Sequence, residues 1–270
     1  MIGVDEMSER LESLAEALWR AEREQSPIPP LTDEHPDLSV QDAYHIQLLN
    51  VKRRVASGDR VVGHKIGLTS KPMQLQLGVD QPDFGHLFHS MWFESGSAVD
   101  FPLIQPKVEP EIAFILAEDL VGPGVDLHRV LAATRAVVPA IEVIDSRIAD
   151  WRIRLVDTVA DNASAGCFVL GNLPTAIAGV DLETVGGVLK LNGEVAQTGA
   201  GAAVMGHPAK AVAWLANTLT ELGTPLRAGH VVLSGAVSAA VPIRPGDRVQ
   251  LSFGPLGSVE FVWAKGEGSD

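Results

Sequence analysis

Glu109 and Glu111 stand two residues apart in the apolar run Pro106-Lys-Val-Glu-Pro-Glu-Ile-Ala-Phe-Ile-Leu116. In an extended strand that spacing sends both carboxylates out of the same face. Like charges side by side repel, which is unfavourable in a half-buried sheet unless a cation compensates. A third acid, Glu142, lies in the strand-like run Pro139-Ala-Ile-Glu-Val-Ile144, where a buried carboxylate also needs a partner. Three carboxylates with no thiolate company suit a hard octahedral ion, Mg²⁺ or Mn²⁺, with water or substrate completing its coordination. The pattern equally fits the solvated face of an edge strand, since Glu-x-Glu is common and Pro110 is compatible with an edge.

A second polar cluster is Lys65-Ile-Gly-Leu-Thr-Ser70. Lys65 follows an apolar strand and precedes Gly67, which permits close backbone approach. It suits pairing with a carboxylate, anion binding or acid/base work, or it is an exposed lysine. Asp83 falls in Val79-Asp-Gln-Pro-Asp-Phe-Gly85, a turn by composition, where aspartates usually cap. The stretch Asp157 to Gly166 concentrates Asp161, Asn162 and Ser164 between apolar runs and reads as a pocket-lining loop or an ordinary Asx-turn. Other signals are weak. Gly199-Ala-Gly-Ala-Ala-Val-Met-Gly206 lacks the glycine spacing of a dinucleotide loop. His86 and His89 have no acidic or Cys neighbours, no Gly-x-Ser-x-Gly elbow or Walker loop occurs, and Cys167 sits in an apolar run.

The elements that must position these groups are legible from periodicity. Leu11, Leu14, Ala15 and Leu18 predict a helix over 8–24, ended by Pro27, Pro29 and Pro30. Ser39 with Asp42 three residues later predicts a capped helix running to about Gly58. Strands are expected at 61–70, 106–116, 137–144, 167–170, 187–191, 231–235, 248–253 and 259–263, with Asn192-Gly193 as a hairpin turn. Helices are expected at 71–77, 127–136 and 209–222. Many short strands with few helices between them favour an α+β architecture, a mixed β-roll or distorted barrel, over a doubly wound sheet. The expected organisation is an N-terminal helical region, 1–60, followed by a β-rich catalytic region, 61–270.

Composition bounds the rest. The 270 residues carry 34 acids against 21 bases, a formal charge of −13, which argues against nucleic-acid and anionic-membrane partners. The single cysteine rules out an intramolecular disulfide and a thiolate-rich zinc site. Asp5, Glu6 and Glu9 stand where a secretory leader needs basic and then apolar residues, and no apolar run approaches the ~20 residues of a membrane helix. A reducing, cytoplasmic setting is the expectation.

Together these segments resemble the fumarylacetoacetate hydrolase superfamily and, within it, the 2-hydroxypenta-2,4-dienoate hydratases. The resemblance is carried by Gly63-His-Lys-Ile-Gly-Leu-Thr-Ser70, Gly78-Val-Asp-Gln-Pro-Asp-Phe-Gly85 and Pro106-Lys-Val-Glu-Pro-Glu111. It continues through 139–148, 157–164 and 199–208, and spans nearly the whole chain. It implies a mixed β-roll with an N-terminal helical region, and a divalent metal held by Glu109, Glu111 and Glu142. It implies hydration of 2-hydroxypenta-2,4-dienoate to 4-hydroxy-2-oxopentanoate in the meta-cleavage degradation of aromatic compounds. Lys65 and Asp83 are then expected to handle protons, with Ser164, and with it Asp161 and Asn162, contacting substrate or water; His64 is a possible helper. The resemblance also implies a homo-oligomer, with association to a decarboxylase left open. Rival readings are a 4-oxalocrotonate decarboxylase, a 2-oxohept-4-ene-1,7-dioate hydratase, and a non-catalytic partner subunit of a decarboxylase.

Overall fold

A computed structural model describes residues 4–264. The first three residues, on which the leader expectation partly rests, and residues 265–270, the end of the expected catalytic region, lie outside the described residues. The chain opens with helices α1 (Val4–Glu24), α2 (Leu31–Glu34) and α3 (Val40–Ala56). The start of α3 follows from its sequence: Ser39 Oγ accepts from the Asp42 backbone N–H while the Asp42 carboxylate accepts from the Ser39 N–H. Strand β1 (Val61–Gly67), helix α4 (Lys71–Leu77) and strand β2 (Asp83–Phe88) come next, then short β3 (Trp92–Glu94) and β4 (Ala98–Val99). After them run β5 (Lys107–Leu116), α5 (Leu127–Ala133), β6 (Thr134–Ile144), α6 (Leu155–Ala160) and β7 (Ala165–Leu170). The remainder is β8 (Gly186–Leu191), β9 (Glu194–Ala200), α7 (Pro208–Glu221), β10 (Val231–Ala236), β11 (Val241–Pro242), β12 (Arg248–Phe253) and β13 (Gly257–Trp263).

The strands form two mixed sheets. The larger has the order β2-β1-β10-β5-β6-β7-β3, with β11 also pairing β5; the smaller has the order β4-β13-β12-β8-β9. The larger sheet curls so that β2, at one end, comes back toward β7 near the other. The side chain of Asn162 bridges this approach: its Oδ1 accepts from the His86 N–H at 2.8 Å and its Nδ2 donates to the His86 carbonyl at 2.9 Å, as a neighbouring strand would. Gly85 makes the approach possible, because a Cβ there would stand 2.3 Å from the Asn162 carbonyl oxygen.

One apolar core fills the space between the two sheets and α5 and α7, with Phe114, Phe168, Phe253 and Phe261 fully buried. A second core lies between α1, α2 and α3 and is completed by Ile148, Val159 and Ala160. The helical region therefore rests on α6 and the segment after β6, and Thr32 is hydrogen-bonded to Asp157 through both its backbone and its hydroxyl.

Most expected elements occur within a residue or two of their expected limits, and the physical causes of the exceptions are specific. Asp83 is not in a turn: it begins β2 and is buried, because β2 pairs in register with β1 from Gly67↔Asp83 onward. The expected loop at 157–166 is α6 followed by a tight turn at Asn162–Ser164, in which all three residues have positive φ. The helix expected to reach Ala136 ends at Ala133, where Thr134 Oγ1 caps back onto the Val130 carbonyl and the chain becomes β6. Strand β5 is interior, flanked by β10 and β11 on one side and β6 on the other, so the solvated-edge alternative for Glu109 and Glu111 fails.

Candidate metal and proton-transfer centre

Register assembles the carboxylates. In the antiparallel β5–β6 pair Glu109 lies directly opposite Glu142, and Glu111 lies opposite Ala140. Residues opposite each other share a sheet face, as do residues two apart on one strand. All three carboxylates therefore converge, each offering an oxygen within 4.8 Å of the others. Glu111 and Glu142 are fully buried, whereas Glu109 is part-exposed at the rim.

Little within the protein compensates this charge. Glu111 Oε2 accepts from the Gly235 N–H at 2.7 Å, but Glu111 Oε1 and both Glu142 oxygens have no hydrogen-bond partner among the described residues. Gly235 reaches its position with φ of 112°, and a Cβ there would meet Thr69 Oγ1 at 2.3 Å. Loss of water raises Glu109 to about 7, with Lys65 opposing the shift and Glu142 adding to it. Burial likewise pushes Glu111 well above the usual carboxylate range, reinforced by Glu142 and Glu109. Glu142 is raised by burial, against the pull of Lys65.

Lys65 and Asp83 flank the cluster. Lys65 Nζ is 3.4 Å from Glu142 Oε1 and donates to the Ala163 carbonyl at 2.9 Å. Burial by itself would lower the lysine, but Glu142 first, then Asp83, Glu109 and Glu111, outweigh it and keep the ammonium charged. Asp83 is pushed up by burial against the pull of Lys65, and its Oδ1 is unpartnered among the described residues. A Cβ on Gly67 would stand 2.2 Å from Asp83 Oδ1 and 3.5 Å from Lys65 Nζ, so glycine is what leaves room for the pair.

The residues of the 161–164 turn divide. Ser164 is buried, with its Oγ 3.2 Å from Thr158 Oγ1, and it follows the Ala163 whose carbonyl holds Lys65. Asp161 faces protein: it takes the Arg147 backbone N–H and guanidinium and the Ser146 hydroxyl, and burial raises it to about 7 against Arg147. Asn162 is spent on the β2 bridge. The structure thus engages Asp161 and Asn162 in building the turn, through Arg147, Ser146 and His86. His64 points to the opposite face of β1 from Lys65, toward buried His86 and half-buried His230 at ring-centroid distances of 4.8 and 5.7 Å.

Three contributors were not singled out from sequence. The Gly235 amide and the Ala163 carbonyl are backbone groups and leave no side-chain signal. Lys107 does leave one: it is two residues before Glu109 and so shares its face. Its ammonium stands 4.1 Å from the centroid of the Trp151 ring.

Comparison with known proteins places the chain among relatives of known family. Residues 53–262 match the family described as fumarylacetoacetate (FAA) hydrolase, C-terminal. A 2-hydroxyhexa-2,4-dienoate hydratase of Comamonas testosteroni is 50% identical over 257 residues, covering 93% of this chain and 97% of that protein. A 2-keto-4-pentenoate hydratase of Paraburkholderia xenovorans LB400 is 50% identical over 249 residues, covering 92% and 93%. Among solved structures, a 4-oxalocrotonate decarboxylase from Pseudomonas putida G7, complexed with magnesium and adipate, superposes with a TM-score of 0.92 at 40% identity, covering 95% of this chain and 98% of that one.

Proposed function

Because this chain belongs to the fumarylacetoacetate hydrolase family, we infer that its carboxylate cluster serves a metal-dependent hydro-lyase. The enzyme adds water to 2-hydroxypenta-2,4-dienoate and yields 4-hydroxy-2-oxopentanoate, in line with relatives at 50% identity named as hydratases of such dienoates. One observation carries the reading: three carboxylates converging on one sheet face, with buried oxygens that lack donors among the described residues, lie beside a buried lysine–aspartate pair.

The residues fit a hard divalent cation. All the donors are oxygens, which suits Mg²⁺ or Mn²⁺, and the unpartnered oxygens of Glu111 and Glu142 are groups that a cation would satisfy. Glu109, Glu111 and Glu142 would hold it, and the 40%-identical decarboxylase structure contains magnesium. Bound there, it would act as a Lewis acid toward negative charge on the 2-oxygen of the substrate.

Proton movement falls to the chain itself. Hydration places one proton on C5, hydroxide from water on C4 and one proton on C3, while the enol O–H gives up its proton. Lys65 Nζ, charged and fixed between Glu142 and the Ala163 carbonyl, is assigned as donor. Asp83 Oδ1, without a hydrogen-bond partner among the described residues, is assigned as acceptor from the enol or from water. Ser164 Oγ orients substrate or water in the same proposal. The non-catalytic alternative finds no support, since a scaffold has no use for buried, uncompensated carboxylates.

The assay follows loss of the dienol absorbance, with product identification, in Mg²⁺ with and without a chelator. Activity is expected to require the metal, and Lys65→Met or Asp83→Asn to lower kcat by about 10²–10⁴-fold with metal affinity kept. Absence of 4-hydroxy-2-oxopentanoate would sink the reading, and CO₂ release from 4-oxalocrotonate would promote the decarboxylase. Self-association, with or without a decarboxylase subunit, and a cytoplasmic setting belong to the same proposal. No helix among the described residues is long and apolar enough to cross a membrane. Sizing of the purified protein alone and with the decarboxylase tests the first point.

A further inference from the structure

Lys107 opens the strand that carries Glu109 and Glu111, and residues two apart on a strand share a face. It is thus one step nearer the rim than Glu109, on the side of the sheet where the carboxylates converge. Its ammonium makes no ion pair or hydrogen bond among the described residues; it rests on the indole of Trp151, 4.1 Å from the ring centroid. That contact uses the ring face and leaves the three N–H donors of the ammonium free.

The indole is held in place by a costly backbone. Asp150 and Trp151 have φ of 58° and 55°, two consecutive non-glycine residues in the left-handed region, a conformation that costs on the order of 1–3 kcal/mol per residue. Trp151 Nε1 donates to the Gln105 carbonyl at 3.1 Å, and the Gln105 amide donates to the carbonyls of Ser146 and Ile148. Strain of this kind persists where the surroundings over-determine it, and here it fixes an aromatic seat under a cation at the open edge of the cluster.

We propose that Lys107, seated on Trp151, binds the 1-carboxylate of the 2-oxo acid at the Glu109 end of the cluster and so decides which way round the substrate lies. The inference rests on the metal-dependent reading above and adds an orientation to it. With the carboxylate held at the rim by Lys107, the remaining carbons are directed inward toward Lys65, whose ion pair is with Glu142 on the neighbouring strand. Hydrogen-bond donors placed for a carboxylate also make the site select 2-oxo acids over neutral ketones.

The test is calorimetric titration of the Mg²⁺-loaded protein with two unreactive probes, 2-oxopentanoate, which has one carboxylate, and 2-oxoadipate, which has two. Lys107→Met is expected to weaken both about tenfold, the loss of one charge-assisted contact. Lys107→Arg is expected to stay within about threefold of the parent, because it keeps charge and aromatic packing. Mg²⁺ affinity measured without either probe should be unchanged or tighter in Lys107→Met, since a like charge has been removed; Lys107→Gln replaces that variant if it does not fold. Unchanged 2-oxopentanoate affinity overturns the proposal. So does a loss confined to 2-oxoadipate, which would place Lys107 at the far end of the substrate, and so does a parallel loss of Mg²⁺ affinity, which would make it a support for Glu109. If the parent binds no Mg²⁺, the metal-dependent reading falls, and this one with it, before any oxo acid is added.

Discussion

At the residue scale the centre is organised around three carboxylates that the fold compensates only in part, through Lys65 and the Gly235 N–H. Removing one partner of a buried ion pair usually destabilises, because it strands the other charge. Glu111 is closer to the reverse case, since Glu142 and Glu109 raise it more than Lys65 lowers it and its hydrogen bond among the described residues is from the Gly235 N–H. Glu111→Gln keeps an oxygen for that N–H and removes one negative charge. Without metal the variant is expected to melt about 2–4 °C higher than the parent, the effect of roughly 1 kcal/mol in a chain this long. Its Mg²⁺ affinity is expected to fall by at least about a hundredfold. Differential scanning fluorimetry and calorimetry read the two effects, and a lower melting temperature without metal would contradict the account of the cluster.

At the element scale β1 separates two chemistries. Lys65 leaves one face for the carboxylates, and His64 leaves the other, where it lies opposite His86 on β2 and near His230 just before β10. Gln47 on α3 fixes part of this back face. Its Nε2 donates to the carbonyls of Phe84 and Val159, so its Oε1 must accept from His86 Nδ1–H, and that sets the tautomer. Burial lowers His86 to about 4, with His230 adding to the shift, and lowers His64 well below its ordinary value. A histidine depressed in the folded state keeps its full contribution above the unfolded value near 6.5 and loses it as pH falls toward 4, because the unfolded chain takes up the proton first. Unfolding free energy is therefore expected to drop between pH 6.5 and 4, by as much as ~3 kcal/mol from His86. Denaturant titrations across that range should show a shallower fall in His64→Phe, and equal slopes in the two proteins would remove His64 as a contributor.

At the scale of the whole molecule, the curled sheet brings together residues from β1, β2, β5, β6 and the turn after α6, and the centre sits where these elements converge. A cation held by three of those carboxylates binds the folded state alone, so it should stabilise the entire fold. At a hundred times the dissociation constant the gain is about 2.7 kcal/mol, or roughly 5–10 °C in Tm. Excess Mg²⁺ should produce that shift, chelation should reverse it, and Glu109→Gln should reduce it; an Mg²⁺-independent Tm would count against a site in this cluster. A net charge of −13 disfavours an anionic substrate at long range, so the proposed reading depends on local positive charge, that of Lys65 and Lys107 and of a divalent ion at the carboxylates.

Local pattern was enough for much of this. The period-2 spacing of Glu109 and Glu111, the Ser39–Asp42 capping box and the Asn192-Gly193 hairpin each depend on interactions within a few residues, so the sequence by itself determined them. The candidate residues Lys65 and Glu142 were also legible as polar groups beside or within apolar runs, whereas Asp83 read as a turn residue and was a candidate only through the family resemblance. Register was not legible. That Glu109 faces Glu142, that β5 is interior although it contains Pro110, and that Asp83 begins a strand all depend on which distant strands pair, and that is settled by burial summed over the whole sheet. The same holds for Asp161 and Asn162, whose composition suited a substrate pocket but whose hydrogen bonds go to Arg147 and His86. Short polar side chains look alike in sequence whether they face a ligand or close a barrel; only the tertiary structure, by bringing partners from 14 to 76 residues away, shows which bonds they make.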